Sequence, residues 1–159
     1  MVGTSGTLLL SRRGGDIDGH GMVFRADTAR AAGFEAHVGS NTDVRVTDRG
    51  SWGFAESAKE TCLLRGTSAA ALDGLRWAAK QARPPPLAVS HPDFDSYVAG
   101  SFSFVPSSAL HAVLLAMQVC QRVTLFGLMP PADETGERFG SCGCWIHAPW
   151  VWRKMGEPG

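Results

Sequence analysis

Two short segments place small hydroxylic residues where the chain must turn. In Val2-Gly3-Thr4-Ser5-Gly6-Thr7, glycines flank a threonine and a serine, so backbone N–H groups can approach a phosphate or sugar with no Cβ in the way. In Val105-Pro106-Ser107-Ser108-Ala109, two hydroxyls open a long apolar run, where a helix start leaves amides unpaired. Either segment suits an anionic ligand, and either alone is also an ordinary turn. The glycine spacing departs from the dinucleotide fingerprint G-x-G-x-x-G, which disfavours a nicotinamide dehydrogenase. A third cluster, Cys142-Gly143-Cys144 with His147, offers a thiol pair and an imidazole. Three ligands at that spacing without a clear fourth do not make a zinc site, so no metal is expected. Trp145, Trp150 and Trp152 nearby could stack on a sugar or plug a core.

The elements that must position these residues alternate in type. Residues 22–25 read as a buried strand, residues 43–47 as a half-exposed one, and residues 61–65 as a third strand. Thr67 and Ser68 can cap a helix through AAALDGLRWAAKQA, with Leu72, Leu75 and Ala79 on its packed face, before Pro84-Pro85-Pro86 forbids continuation. Residues 87–90 read as a strand. Ser107 and Ser108 cap the helix ALHAVLLAMQVC, which is apolar nearly all round and so expected to be buried. Residues 122–126 follow as a core strand closed by Gly127, and LLLSRR after the first turn is either a short helix or extended. Alternating strands and helices predict a single α/β domain over residues 1–159 with a mostly parallel sheet flanked by helices. The tail 129–159 carries no clear pattern.

Composition narrows the partners. Of 159 residues, 44% are hydrophobic, which suits a globular domain. Fifteen basic residues balance fifteen acidic ones, so a general nucleic-acid binder is not expected, although one focused anion site remains open. No apolar run approaches the roughly 18 residues of a membrane span, and no signal peptide is evident. Four cysteines are too few and scattered to define a disulfide scaffold.

Taken in order, these segments resemble a known family. The stretch VGTSGTLLLSRRGGDIDGHGMVFRADTARAAGFEAHVGSNTD resembles the long sialylmotif of the eukaryotic sialyltransferases (glycosyltransferase family 29), and VPSSALHAVLLAMQVCQRVTLFGL resembles their short sialylmotif. The resemblance implies a Rossmann-like, GT-A-like fold and transfer of sialic acid from CMP-sialic acid to a glycan hydroxyl, with inversion and without a metal or other cofactor. It implies that Thr4, Ser5, Gly6, Asp27, Ser107, Ser108 and Ala109 bind the donor. Asp18, His20 and Arg25 match the motif as scaffold. His147, near the place of the family's third motif, is the histidine to carry over as general base, although no H-x-x-x-x-E follows it.

Several positions depart from the pattern. Thr4 stands for asparagine or serine, Gly21 for an acid, and Ala109 for a glycine. Asp27 stands for an asparagine, which puts a negative charge near a nucleotide phosphate at a cost on the order of 1–4 kcal/mol at ~4 Å. The resemblance further implies the Golgi lumen, a membrane anchor in the full-length protein, and a chain cut at both ends. It leaves Cys120 buried without the partner that the family places before the first turn. An inactive remnant that binds only a nucleotide or glycan is the alternative from a different class.

Overall fold

The computed structural model describes residues 1–48, 51–65, 73–77, 80, 86–128 and 152–153. Its centre is a parallel sheet of β1 (Phe24–Ala26), β2 (Val44–Thr47), β3 (Thr61–Leu64) and β4 (Leu87–Val89), in that spatial order. The register sets Arg25 beside Arg45, Arg45 beside Cys62, and Cys62 beside Leu87.

The first residues extend this sheet beyond β1. The Val2 amide donates to the Phe24 carbonyl at 2.8 Å, the Gly3 amide to Phe126 at 2.8 Å, and the Phe126 amide to Met1 at 2.9 Å. Val2 bridges Arg25 on one side and Phe126 on the other, both in parallel. From Val2 the chain therefore winds outward to β4 and then returns to the far side of Val2. That reversal is the switch point of a doubly wound sheet, where a ligand crevice opens at the carboxyl edge.

Strand alternation builds two cores. Phe24, Ala26 and Val46 face α4 (Ser108–Val119), packing on its Ala112 and Ala116. On the other face Val2 and Val23 pack with Leu8 of a 3-10 turn (Gly6–Leu10), Ile17 of α1 (Gly14–Asp18) and Val38 of α2 (Glu35–Val38). A further helix, α3 (Pro92–Gly100), begins with the His91 imidazole accepting from the Asp93 amide, and proline sits at its first position. Residues 73–77 are helical. Two short strands, β5 (Arg122–Val123) and β6 (Trp152–Arg153), pair antiparallel. Among the described residues no helix is long and apolar enough to cross a membrane.

Four expectations change. Residues 43–47 are not half-exposed: Arg45, Val46 and Thr47 are all buried, because helices and loops cover both faces of an inner strand. The helix α4 is not buried all round, since only Ser108, His111, Ala112 and Ala116 are buried while Val119 is 62% exposed. Ala112 and Ala116 bring its backbone onto the sheet, with Val113 and Leu115 packed at the sides and Val119 outside. Leu75 is exposed rather than packed; Gly74 takes the inner position, close enough that an added Cβ would meet Leu64 Cδ1. The strand expected over residues 122–126 is regular only at Arg122–Val123, with Phe126 joined through its bridge to Val2. Thr67, Ser68, Leu72, Ala79 and the tail 129–159, apart from residues 152–153, lie outside the described residues.

Adjacent glycines of α1 make a test of this packing. A Cβ on Gly14 would strike the Glu35 carbonyl oxygen, whereas one on Gly15 would meet nothing within 4 Å. Gly14→Ala should cost about 1–3 kcal/mol by forcing α1 off α2. Gly15→Ala should be neutral or add about 0.5–1 kcal/mol through its helix propensity. Urea midpoints of the two variants check both signs.

Candidate functional site

The motif residues read as scaffold tie α1 and β1 to the segment that enters β2 and to the return strand. Asp18, at the end of α1, accepts from the Ser40 and Asn41 amides at 2.9 Å and from the Ser40 hydroxyl at 2.8 Å. Partial burial would raise its pKa, but these bonds and the nearby Arg25 charge outweigh it, and the carboxyl is held below its ordinary value. Gly39 is where α2 ends with φ 73°, and a Cβ there would crowd Asp18. His20 spans from the Asp16 carbonyl (2.8 Å) to the Thr124 hydroxyl (3.1 Å), linking α1 to the return strand.

Arg25 is fully buried on β1. Its Nε donates to the Thr42 hydroxyl at 2.8 Å, and its Nη2 donates to the carbonyls of Val38 (2.8 Å), Asn41 (3.0 Å) and Gly39 (3.3 Å). Burial, with Arg45 alongside, lowers its pKa from the usual arginine value.

Between the first turn and the loop after β1 lies a pocket of about 300 Å³. Gly3, Thr4, Ser5 and Gly6 form one wall; Thr28, Ala29, Arg30 and Phe34 form the other. Ser5 is buried with its hydroxyl 2.7 Å from that of Thr7 and accepting from the Thr7 amide, so it caps the 3-10 turn; Thr4 and Gly6 are exposed. Gly3 stands back to back with Gly127, since a Cβ on Gly3 would meet the Gly127 carbonyl. Gly127 itself has φ 63°.

The remaining sequence candidates do not line this pocket. Asp27 has φ 47°, a left-handed conformation that asparagine and aspartate tolerate better than most residues. Its Oδ1 accepts from the Ser51 hydroxyl at 2.7 Å, and its neighbours Thr28–Arg30, not Asp27, line the pocket. Ser107 caps α4 by accepting from the Leu110 amide at 3.2 Å, and Ala109 packs on the α4 core. The Ser108 hydroxyl is buried with no partner among the described residues. Arg65, just past β3, donates to the Pro106 carbonyl at 2.7 Å and ties the start of α4 to the same carboxyl edge. His147, Cys142, Cys144, Trp145 and Trp150 lie outside the described residues. Cys62 and Cys120 are free thiols, Cys120 half-buried rather than buried.

Thr28, Arg30 and Phe34 were not singled out in the sequence, although they fall inside the long motif. The usable signal was topological: whatever follows β1 must sit beside whatever follows the first strand. Behind this wall stands Arg45, fully buried, paired through Nε with Glu60 Oε2 at 2.6 Å.

A doubly wound parallel sheet with a pocket at the carboxyl edge, between its first strand and β1, defines a Rossmann-like architecture. The family model for glycosyltransferase family 29 (sialyltransferase) matches residues 1–61, which hold both walls of the pocket. CMP-N-acetylneuraminate-beta-galactosamide-alpha-2,3-sialyltransferase 1 of Gallus gallus is 28% identical over 86% of this chain and 44% of its own length. Its counterpart in Homo sapiens is 29% identical over 86% of this chain and 45% of its own length. A crystal structure of a mammalian sialyltransferase superposes with a TM-score of 0.71 at 28% identity, covering 92% of this chain and 56% of that one. Over the part that it spans, the chain is similar in sequence and in fold to the sialyltransferases of glycosyltransferase family 29. That part is about half the length of the curated relatives it matches.

One buried group couples the start of α4 to pH. His111 of α4 is buried, its Nε2 3.3 Å from the Ser90 hydroxyl and 3.4 Å from Asp95 Oδ1, with Phe94 edge-on at 5.0 Å. Burial lowers its pKa from 6.5, against the raising effect of Asp95. The unfolded chain therefore takes up this proton at higher pH than the folded one. Stability is expected to be complete above about pH 6.5 and to decline as pH falls through the depressed folded value. His111→Gln should flatten that acid limb in chemical denaturation series between pH 7.5 and 5.

Proposed function

We propose that this chain carries the donor half of a sialyltransferase, with the pocket between residues 3–6 and 28–34 taking the nucleotide side of CMP-sialic acid. The observation that carries the reading is the coincidence of three things on one edge. The pocket lies at the carboxyl edge between the first strand and β1, Arg30 is its exposed cation, and the residues matched by the family model include those that build it. A parallel-sheet carboxyl edge is where backbone and dipoles favour a phosphate.

In the reaction so proposed, an acceptor sugar hydroxyl attacks the anomeric carbon of sialic acid from the face opposite CMP. The new C–O bond forms as the bond from that carbon to the phosphate oxygen breaks, and CMP leaves with the electron pair. A base takes the hydroxyl proton, and the configuration inverts. CMP leaves as a phosphate already ionised at neutral pH, so we propose that no metal is needed. The partners are CMP-sialic acid and a glycan acceptor. One solved relative was crystallised in complex with Gal-beta-1-3GalNAc-ortho-nitrophenol, which makes that glycan the first acceptor to try. The Golgi lumen is the proposed compartment.

His147 is the residue of this chain on which the base role is to be tested. A neutral imidazole near its working pH suits removal of a hydroxyl proton. His147→Ala is expected to leave CMP affinity within about twofold while lowering transfer by about 100-fold or more, in line with loss of a general base. Calorimetric titration with CMP and product assay from CMP-sialic acid, with and without EDTA, read the two steps separately. CMP binding without any transfer by the unaltered chain would favour a binding module; no CMP binding at all would remove the donor assignment.

A further inference from the structure

The loop that forms the second pocket wall is held from behind by a buried ionic cluster. Arg45 Nη1 donates to the Asp27 carbonyl at 3.0 Å and to the Ala29 carbonyl at 2.8 Å. Its Nε donates to Glu60 Oε2, its Nη2 lies 3.4 Å from Glu56 Oε2, and its guanidinium carbon stands 4.8 Å above the Phe54 ring centre. Glu56 continues the grip: its Oε2 accepts from the Ala31 amide at 2.8 Å and its Oε1 from the Ala32 amide at 3.0 Å. Glu60 closes the circuit by accepting from the Glu56 amide through Oε1 at 3.0 Å.

Carbonyls at the start of the loop and amides at its end are thus fixed by one cluster. Thr28, Ala29 and Arg30 lie between these fixed points and line the pocket. Arg45 is fully buried and Glu60 is 1% exposed, so solvent does not compete for the bond between them, while the Glu56 bonds lie nearer the surface. An arginine fork can hold two carbonyls and a carboxylate at once, which a lysine ammonium cannot do in the same geometry.

We infer that Arg45 and Glu56 are positioning residues for the donor pocket: they preorganise the 27–32 loop so that Arg30 and the loop backbone meet the ligand without reordering. The inference rests on reading that pocket as the donor site. A loop ordered before binding gives tighter binding than one that must be ordered by the ligand.

Glu56→Ala removes the acceptors for the Ala31 and Ala32 amides while leaving the Arg45–Glu60 pair in place, so the chain should still fold. It should weaken CMP binding by about tenfold and speed amide exchange in residues 27–32, with Glu56→Gln restoring part of both. Arg45→Lys should weaken CMP further, by loss of the two carbonyl contacts. Calorimetry with CMP and hydrogen exchange read by mass spectrometry, on the unaltered chain and these variants, provide the measurements. Unchanged CMP affinity in folded Glu56→Ala overturns the inference alone, as does unchanged exchange in the loop. Failure of the unaltered chain to bind CMP removes the donor reading and the inference together.

Discussion

Two arginines on neighbouring strands, Arg25 and Arg45, lie in register inside the protein, and both are fully buried. Adjacent parallel strands stand about 4.8 Å apart, so two positive charges share a region from which water is excluded. Such a pair is costly unless most of its donors find acceptors, and Arg25 Nη1 has none among the described residues. Arg25 takes carbonyls from residues 38–41, and Arg45 takes carbonyls from residues 27 and 29 together with Glu60. Each charge therefore draws a loop onto the sheet. Without Arg45, Glu60 would be a buried carboxylate with no countercharge at 2.6 Å, a defect worth about 3–5 kcal/mol.

Hydrophobic burial on the same face comes from small contributions: Val2, Leu8, Ile17, Val23, Ala31 and Val38. These residues close the layer but do not say how the loops should run. The directional information lies in the polar groups, because a hydrogen bond fixes an angle and a methyl contact does not. The α4 face is built the other way, with Ala112 and Ala116 flat against Phe24, Ala26 and Val46. One side of the sheet is thus a packing surface and the other is a frame for the pocket.

Much of this was legible in the sequence. Strands at residues 44–47, 61–64 and 87–89 followed from short β-branched and apolar runs, and the parallel arrangement followed from the helices between them. Asp18, His20 and Arg25 were rightly read as framework, because an aspartate beside a helix end and an arginine within an apolar run have few other uses. The pattern Asp43-Val44-Arg45-Val46-Thr47 misled for a physical reason. Alternation normally marks a wet face, and a buried arginine imitates it; its partner Glu60 is distant in sequence and invisible to local periodicity. The pocket was half legible. The first turn announced itself by its glycines, but Thr28, Arg30 and Phe34 enter only through the side-by-side placement of the first strand and β1.

The left-handed backbone at Asp27 limits what this corner of the protein can become. Only glycine, asparagine and aspartate sit there without appreciable strain, and glycine would give up the bond to Ser51. Exchange between the amide and the acid is isosteric, so it alters charge while every dihedral stays where it was. The electrostatic character beside the pocket can therefore drift between neutral and negative across a lineage with the architecture untouched, and shape alone would not reveal which of the two a given chain carries.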